Sequence, residues 1–431
     1  MRKVLFWTHL TAGVIAGIII LTMCVTGVAL TYEKQINAWL EQPRINITPP
    51  PGGARLPLET LIAKVKDQQA GLPTAATVHP GAADPVEVSL GRAGTIYANP
   101  YTGEVLAKSQ IVLPGAPNQS RARAFFRVME DWHRWLGASG PNRSTGKSIT
   151  DAANLIFFGM VLSGLFLWIP RKLSWQSIRP SVWFRGGLAG KARDWNWHNV
   201  IGIWAWLPLV LIVGSSVTMS YPWASNLLYT ATGSPLPPPP PQFGSGERAG
   251  SGGRGGPATG TAPRGGANAG PVAPGGRGGP GFPGGFVGGA PADWTGLDLA
   301  LVKAEQQVSG WKSIRVQGSP NANAPFNFSI DRGDGGQPQL RSTLSVDRQG
   351  QVKSFTDFSN NSAGAQLRQL ARFTHTGESL GFFGQTIAGL AAAAGAMMVY
   401  TGLALSLRRL WAWRKRRSQP IEQEVAAEGV L

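Results

Sequence analysis

The sequence predicts an α-helical membrane protein: a four-transmembrane-helix bundle with two small external α+β domains, internally repeated as helix–domain–helix. Three observations predict it. Four apolar runs are each long enough to cross a hydrocarbon core, which takes roughly 20 helical residues. Basic residues collect at alternate ends of those runs. The same succession of signals then occurs twice along the chain, the mark of an internal repeat.

The first run goes from Phe6 to Tyr32, with no charge between Lys3 and Glu33. Met1-Arg2-Lys3 would also open a signal peptide, but the run is too long for a signal core and Val25-Thr26-Gly27-Val28-Ala29 is a poor cleavage site. A retained span over 1–35 is therefore expected, followed by a first external domain over 36–120. There, an amphipathic helix begins at Leu56-Pro57-Leu58, and alternating strands end at Tyr97-Ala98-Asn99-Pro100-Tyr101-Thr102-Gly103-Glu104-Val105, a turn with glycine between two strands. A pre-helix and the second span follow over 121–172, the run stopping at Pro170-Arg171-Lys172. A basic loop occupies 173–195 and the third span 196–225.

From 233 to 292 the chain is glycine and proline with scattered arginine, too poor in apolar surface to offset ordering entropy, so a disordered linker is expected. The second external domain, over 293–365, repeats the first: a helix from Leu297-Asp298-Leu299, then strands ending Leu344-Ser345-Val346-Asp347-Arg348-Gln349-Gly350-Gln351-Val352. The fourth span falls in 366–410 and a basic tail in 411–431. Arg2 and Lys3, the loop basic residues from Arg171 to Arg193 and the tail basic residues from Arg408 to Arg417 share one side if there are four crossings. The positive-inside rule makes that side, and both termini, cytoplasmic.

The net charge of +17 needs no nucleic acid, since much of it is this signal plus the linker arginines. A single cysteine, Cys24, allows no disulfide within the chain, and no C-x-x-C-H motif offers covalent haem attachment. No glycine-rich dinucleotide fingerprint follows a strand, so an electron donor would have to be a separate cytoplasmic partner.

Of five histidines, four mark the ends of the spans: His9 and His198 on the cytoplasmic side, His133 and His375 on the external side. His79, beside Pro80, reads as an ordinary turn residue. The four belong to the repeat. His9 and His198 are each followed by glycine at the fourth position (Gly13, Gly202) and by a hydroxyl residue at the seventeenth (Thr26, Ser215). His133 and His375 each precede a run ending in a hydroxyl-glycine pair, Ser163-Gly164 and Thr401-Gly402.

Imidazole at membrane depth needs a partner, and two neutral imidazoles facing each other across a bundle suit six-coordinate haem iron. Gly13 and Gly202, on the histidine face, would let a flat macrocycle approach the backbone. Competing readings are an interfacial histidine bonded to a carbonyl, and glycines that serve only helix packing. Zinc would favour further ligands; Asp131 near His133 and Glu378 near His375 keep an external metal site open. A proton pathway would place acids inside the spans, which contain none. Arg134, Arg372 and Arg193 suit haem propionates and lipid phosphates equally.

Across nearly the whole chain, the linker excepted, the sequence resembles the bacterial PepSY-associated transmembrane family, particularly its siderophore-iron reductases. The residues that carry this are "WTHLTAGVIAGIIILTMCVTGVAL", "WHRWLG" with "LSGLFLWIPRK", "WNWHNVIGIW", "FTHTGESLGFFGQ" with "YTGLALSLRR", and the PepSY-like hairpin "YANPYTGEV". The resemblance implies two b-type haems held by His9, His198, His133 and His375. It also implies a bacterial inner-membrane location with periplasmic domains, and reduction of a periplasmic ferric siderophore. A non-enzymatic membrane anchor that displays PepSY domains to a partner, or a haem conduit to a partner protein, remains the alternative.

Overall fold

The computed structural model describes residues 1–41, 45, 47–68, 71–91, 94–109, 121–237, 291–319 and 321–417. Most of the Gly/Pro segment expected to be disordered, 238–290, and the tail beyond 417 lie outside the described residues.

Eleven α-helices are described: α1 (Arg2–Leu30), α2 (Glu33–Glu41), α3 (Leu58–Gln68), α4 (Arg121–Trp135), α5 (Arg143–Trp168), α6 (Trp175–Val182), α7 (Gly190–Ser220), α8 (Pro222–Ala231), α9 (Leu297–Gln307), α10 (Ala363–His375) and α11 (Gly381–Arg417). Four of them, α1, α5, α7 and α11, are long and apolar enough to span a membrane. Three run past the apolar stretches that announce them: α5 starts nine residues before Ala152, α7 eight before His198, and α11 continues to Arg417. Helix geometry continues wherever the backbone has no reason to stop, whereas hydropathy reports only the part facing lipid.

The main helix contacts run round a ring: α1 packs on α5 and α11, and α7 packs on the same two. α1 and α7 therefore hold opposite corners, as do α5 and α11. Small residues (Ala16, Ala153, Ala205, Ala391) line the interior beside Ile20, Phe157, Leu209 and Val213. Such residues let helix backbones approach where hydrophobic driving force between helices is weak. At Gly395 a Cβ would press on the Cys24 sulfur at 2.9 Å, so α1 and α11 meet there only through a glycine.

Outside the bundle, β1 (Ala75–Val78), β2 (Val86–Ser89), β3 (Thr95–Ala98), β4 (Val105–Ser109), β5 (Ser313–Gln317), β6 (Phe326–Asp331), β7 (Arg341–Val346) and β8 (Val352–Asp357) form one antiparallel sheet. Its order is β4-β3-β2-β1-β5-β6-β7-β8. The two repeated units join through their first strands, Ala75 opposite Gln317 and Val78 opposite Ile314, so the order reads outward identically from the centre. One face carries Ala76, Val88, Ile96, Ile314, Phe328 and Leu344 onto α3 and α9 in a single core. Burying a Leu, Ile or Phe side chain contributes about 1.5–3 kcal/mol, and strands of four to six residues need that shared core. The opposite face is polar: the register aligns Tyr97, Glu87, Thr77, Arg315, Ser329, Thr343 and Thr356 in one row across seven strands.

The helices on the sheet exchange caps. Asp298, at the start of α9, accepts from the backbone amides of Leu58 and Glu59 at 2.6 and 3.2 Å, while Glu59, at the start of α3, accepts from the amide of Asp298 at 3.2 Å. Each acid satisfies orphan donors at the other helix's N-terminus.

Candidate functional site

The four histidines divide into one pair at each end of the bundle, the external pair standing just outside the spans. His9 lies in α1 and His198 in α7, at the end of the bundle where basic residues gather. His133 and His375 are not on the spans. They sit at the C-terminal ends of α4 and α10, separate helices that lie against the outer parts of α1 and α7 and turn back sharply into α5 and α11. The reason is steric. After α4, Leu136 and Gly137 have φ of +53° and +73°; after α10, Gly377 and Gly381 have φ of +75° and +63°. Such angles end a right-handed helix.

Repeat-equivalent glycines then let each pair of helices close up. A Cβ on Gly146 of α5 would overlap the carbonyl oxygen of Trp135, and one on Gly384 of α11 would overlap that of Gly377. His133 and His375 are thus delivered toward each other at the sheet end, with ring centroids 6.1 Å apart and planes inclined by 50°. At the basic end, His198 lies within electrostatic reach of His9, which comes from the opposite corner of the ring.

Each Nδ1 is held from a neighbouring helix, by a hydroxyl at the basic end and by a main-chain carbonyl at the sheet end. His9 Nδ1 lies 3.0 Å from Ser163 Oγ on α5, and His198 Nδ1 lies 3.0 Å from Thr401 Oγ1 on α11. The two hydroxyls already donate to backbone carbonyls of their own helices, Ser163 to Met160 and Thr401 to Met397 and Met398. They are therefore acceptors toward the imidazoles, and Nδ1 carries the proton. His133 Nδ1 donates to the Met23 carbonyl at 2.9 Å beside Thr26 Oγ1 at 3.0 Å. His375 Nδ1 donates to the Ile212 carbonyl at 2.9 Å. Met23 and Ile212 both lie fourteen residues after the repeat histidines. All four rings take one tautomer, with the lone pair on Nε2.

Beside these partners lie glycines that seat the rings. Cβ atoms built on Gly27, Gly164 and Gly402 would stand 3.4, 3.6 and 3.5 Å from Cε1 of His133, His9 and His198. Sequence reasoning noted the hydroxyl-glycine pairs as repeat markers but missed this role. The signal was available as a hydroxyl residue on another span for three of the four histidines, Ser163 for His9, Thr26 for His133 and Thr401 for His198. Gly13 and Gly202, singled out for a macrocycle, face the terminal methyls of Met160 and Met398, at 3.1 and 3.5 Å from a built Cβ.

The neighbouring charges are largely committed. Asp131 pairs with Arg143 at 3.2 Å and Glu378 with Lys34; Arg134 pairs with Glu130 at 2.9 Å. Arg193 and Arg408 both bind Asp194, which is fully buried one helical turn before His198. That acid also escaped the sequence reading, because it ends a long basic loop. Among the described residues, no group of three or more His, Cys, Asp or Glu side chains comes together, so the three-ligand or four-ligand centre that zinc favours is not assembled there.

At the sheet end the two imidazoles, each with its lone pair on Nε2 and with ring centroids 6.1 Å apart, fit a metal-bearing cofactor that His133 and His375 would hold between them. Among the buried donors that lack a partner in the described residues is Asn154 Nδ2 on α5. It lies one turn from Thr150, whose hydroxyl donates to the Arg134 carbonyl next to His133.

Residues 6–409 match the family described as the PepSY-associated TM region, a span that includes all four histidines and both halves of the sheet. No curated protein matches the chain. With a match over almost its whole length and four membrane-spanning helices beneath one sheet, this multi-pass membrane protein belongs to the PepSY-associated transmembrane family.

Proposed function

We propose that the chain is a transmembrane electron conduit in which His9 with His198, and His133 with His375, each hold one b-type haem. The donor is a separate protein at the cytoplasmic, basic end, and the acceptor is a ferric chelate, a ferric siderophore, in the periplasm. The observation that carries this reading is the sheet-end pair, two rings with centroids 6.1 Å apart whose Nδ1 atoms are committed to main-chain carbonyls. Two imidazoles bound to one metal ion at about 2 Å each stand with their centroids roughly 6 Å apart. Bound haem supplies the one-electron chemistry that the side chains lack.

The chain's own residues do the rest. The Nδ1 acceptors fix ring orientation and raise the basicity of Nε2. The packed interior of Ala16, Ile20, Phe157 and Leu209 keeps water out of the space between the two ends. Ferric iron is a hard ion held tightly by oxygen ligands. Its one-electron reduction weakens that hold and releases the metal with the chelator intact. The positive-inside rule supports cytoplasmic termini and a periplasmic sheet in a bacterial inner membrane.

A second reading has its own support: a non-enzymatic anchor that presents the sheet to a periplasmic partner. The family match concerns a membrane-associated region rather than a chemistry, and the polar face of the eight-stranded sheet is broad enough for a protein partner. An absorption spectrum of the purified protein with haem counted per chain decides between them. Two haems per chain, reduced by dithionite and reoxidised by a ferric hydroxamate, support the conduit. Absence of a Soret band overturns it and leaves the anchor; reduction without reoxidation by any ferric chelate points to a protein acceptor instead.

A further inference from the structure

At the basic end of the bundle several cations are already committed. Arg2 donates to the carbonyls of Leu167 and Ile169, both at 2.6 Å; Arg193 and Arg408 bind Asp194; and Arg409 lies over the Phe6 and Trp7 rings. Arg171, Lys172, Arg179, Arg185 and Lys191 differ. All five are exposed, and residues 171–193 include no acidic side chain to pair with them. Interleaved with them on the same short segment are large, mostly exposed apolar side chains: Leu173 is 79% exposed, Trp175 63% and Phe184, edge-on to Trp197, 59%.

The segment is firmly seated. Trp168 Nε1 donates to the Ser181 carbonyl at 3.3 Å, and Asn196 Nδ2 donates to those of Pro180 and Trp183 at 2.8 and 3.1 Å. Trp204, well along α7, donates to the Val182 carbonyl at 2.9 Å, and its ring lies 6.2 Å from that of Trp183. These bonds hold α6 against the flank of a membrane span.

We propose that residues 171–191, built around α6, form an interfacial seat for an anionic phospholipid. Leu173, Trp175 and Phe184 enter the acyl boundary, and Arg171, Lys172, Arg179 and Arg185 gather the headgroup phosphate. Apolar and basic side chains are interspersed along a short segment whose central helix is bound to a span, the composition of a segment lying in the plane of the interface, with tryptophans at headgroup level. A surface made for an acidic soluble protein would leave Leu173, Trp175 and Phe184 in water whenever that partner was absent. Because Asn196 stands two residues before His198 on α7, the seat is tied to the helix that carries a ligand of the basic-end histidine pair.

Native mass spectrometry of the full-length protein, extracted from nanodiscs of equal phosphatidylglycerol and phosphatidylcholine, tests this. The wild-type chain is expected to retain phosphatidylglycerol in preference. Each basic residue changed to Gln should lower that preference about fivefold, so Arg171→Gln/Lys172→Gln and Arg179→Gln/Arg185→Gln each reduce it and the quadruple variant abolishes it. An equal preference in wild type and quadruple variant overturns the proposal. So does wild-type retention without headgroup preference, or displacement of the lipid by inorganic phosphate. A complex with an acidic soluble protein that forms only when lipid is removed and is lost in the same variants would reassign the surface to a protein. Unchanged helical circular dichroism in all variants separates loss of the seat from loss of the fold.

Discussion

Single hydrogen-bond acceptors on neighbouring helices orient the histidines. Ser163 and Thr401 hold the basic-end pair by hydroxyls, whereas Met23 and Ile212 hold the sheet-end pair by main-chain carbonyls. Removing a hydroxyl is therefore expected to disturb one end alone. On the proposed reading, Ser163→Ala should alter the ligand-field signals of the haem that His9 and His198 would hold, read by electron paramagnetic resonance, and leave the sheet-end signals in place. An equal change in both would refute the independence of the two ends. Asp298 makes a different residue-scale prediction. Burial outweighs its two amide hydrogen bonds and raises its carboxyl above the ordinary carboxylate range. A group raised in the folded state contributes stability that is complete below its unfolded pKa, about 3.9, and lost as pH rises through the folded value. Asp298→Asn keeps the acceptor for the amide of Leu58 and carries no charge, so at neutral pH it should melt at or above wild type. Asp298→Ala loses the cap, at about 1 kcal/mol. Thermal unfolding of both variants checks the order.

At the scale of elements, the turns between α4 and α5 and between α10 and α11 position the sheet-end pair. Gly146 and Gly384 admit a carbonyl where any Cβ would collide. Gly146→Ala must push α4 away, at a cost of about 1–3 kcal/mol, and should displace His133 while His9 and His198 stay put. On the proposed two-haem reading, stoichiometry should fall from two to one; retention of two would show that the close approach is dispensable. Asn196 has the corresponding part for α6: its side chain also accepts from the amide of Arg185 at 3.1 Å. Asn196→Ala orphans two carbonyls and one amide, costing about 1–3 kcal/mol for each group that water cannot reach. Faster proteolysis between 171 and 189 than in wild type would register it.

At the scale of the molecule, the sheet joins two repeats that the sequence presents as separate domains. His79 stands at that joint: its Nδ1 donates to the Lys312 carbonyl at 3.0 Å, and Nε2 faces Glu87 at 3.7 Å. The Glu87 carboxylate raises the imidazole above its ordinary value, aided by the Lys312 carbonyl and by Asp84 and opposed by partial burial. Stability from this contact is therefore complete below the unfolded pKa of about 6.5 and lost as pH rises through the folded one. Protection of the β1 and β5 amides, their exchange rates divided into the intrinsic rates at each pH, should be greatest on the acid side, and His79→Gln should remove that variation without opening the sheet. Protection in wild type that is flat across that range would place the strength of the joint elsewhere, in β1–β5 pairing and the shared core.

The sequence by itself determined the four spans, the repeat and the four histidines, because hydropathy and spacing are local quantities recorded in consecutive residues. It also displayed Thr26-Gly27, Ser163-Gly164 and Thr401-Gly402, but as markers without a purpose. Only the tertiary structure decided that His133 and His375 ride on their own helices. That depends on left-handed turns and on carbonyls fitted against Gly146 and Gly384, contacts between segments that no local pattern encodes. It also decided that the two external units share one sheet, since strand pairing between Ala75–Val78 and Ser313–Gln317 is set by which edges meet in space. Hydrophobic periodicity says which face of a strand is buried, and is silent on its neighbour.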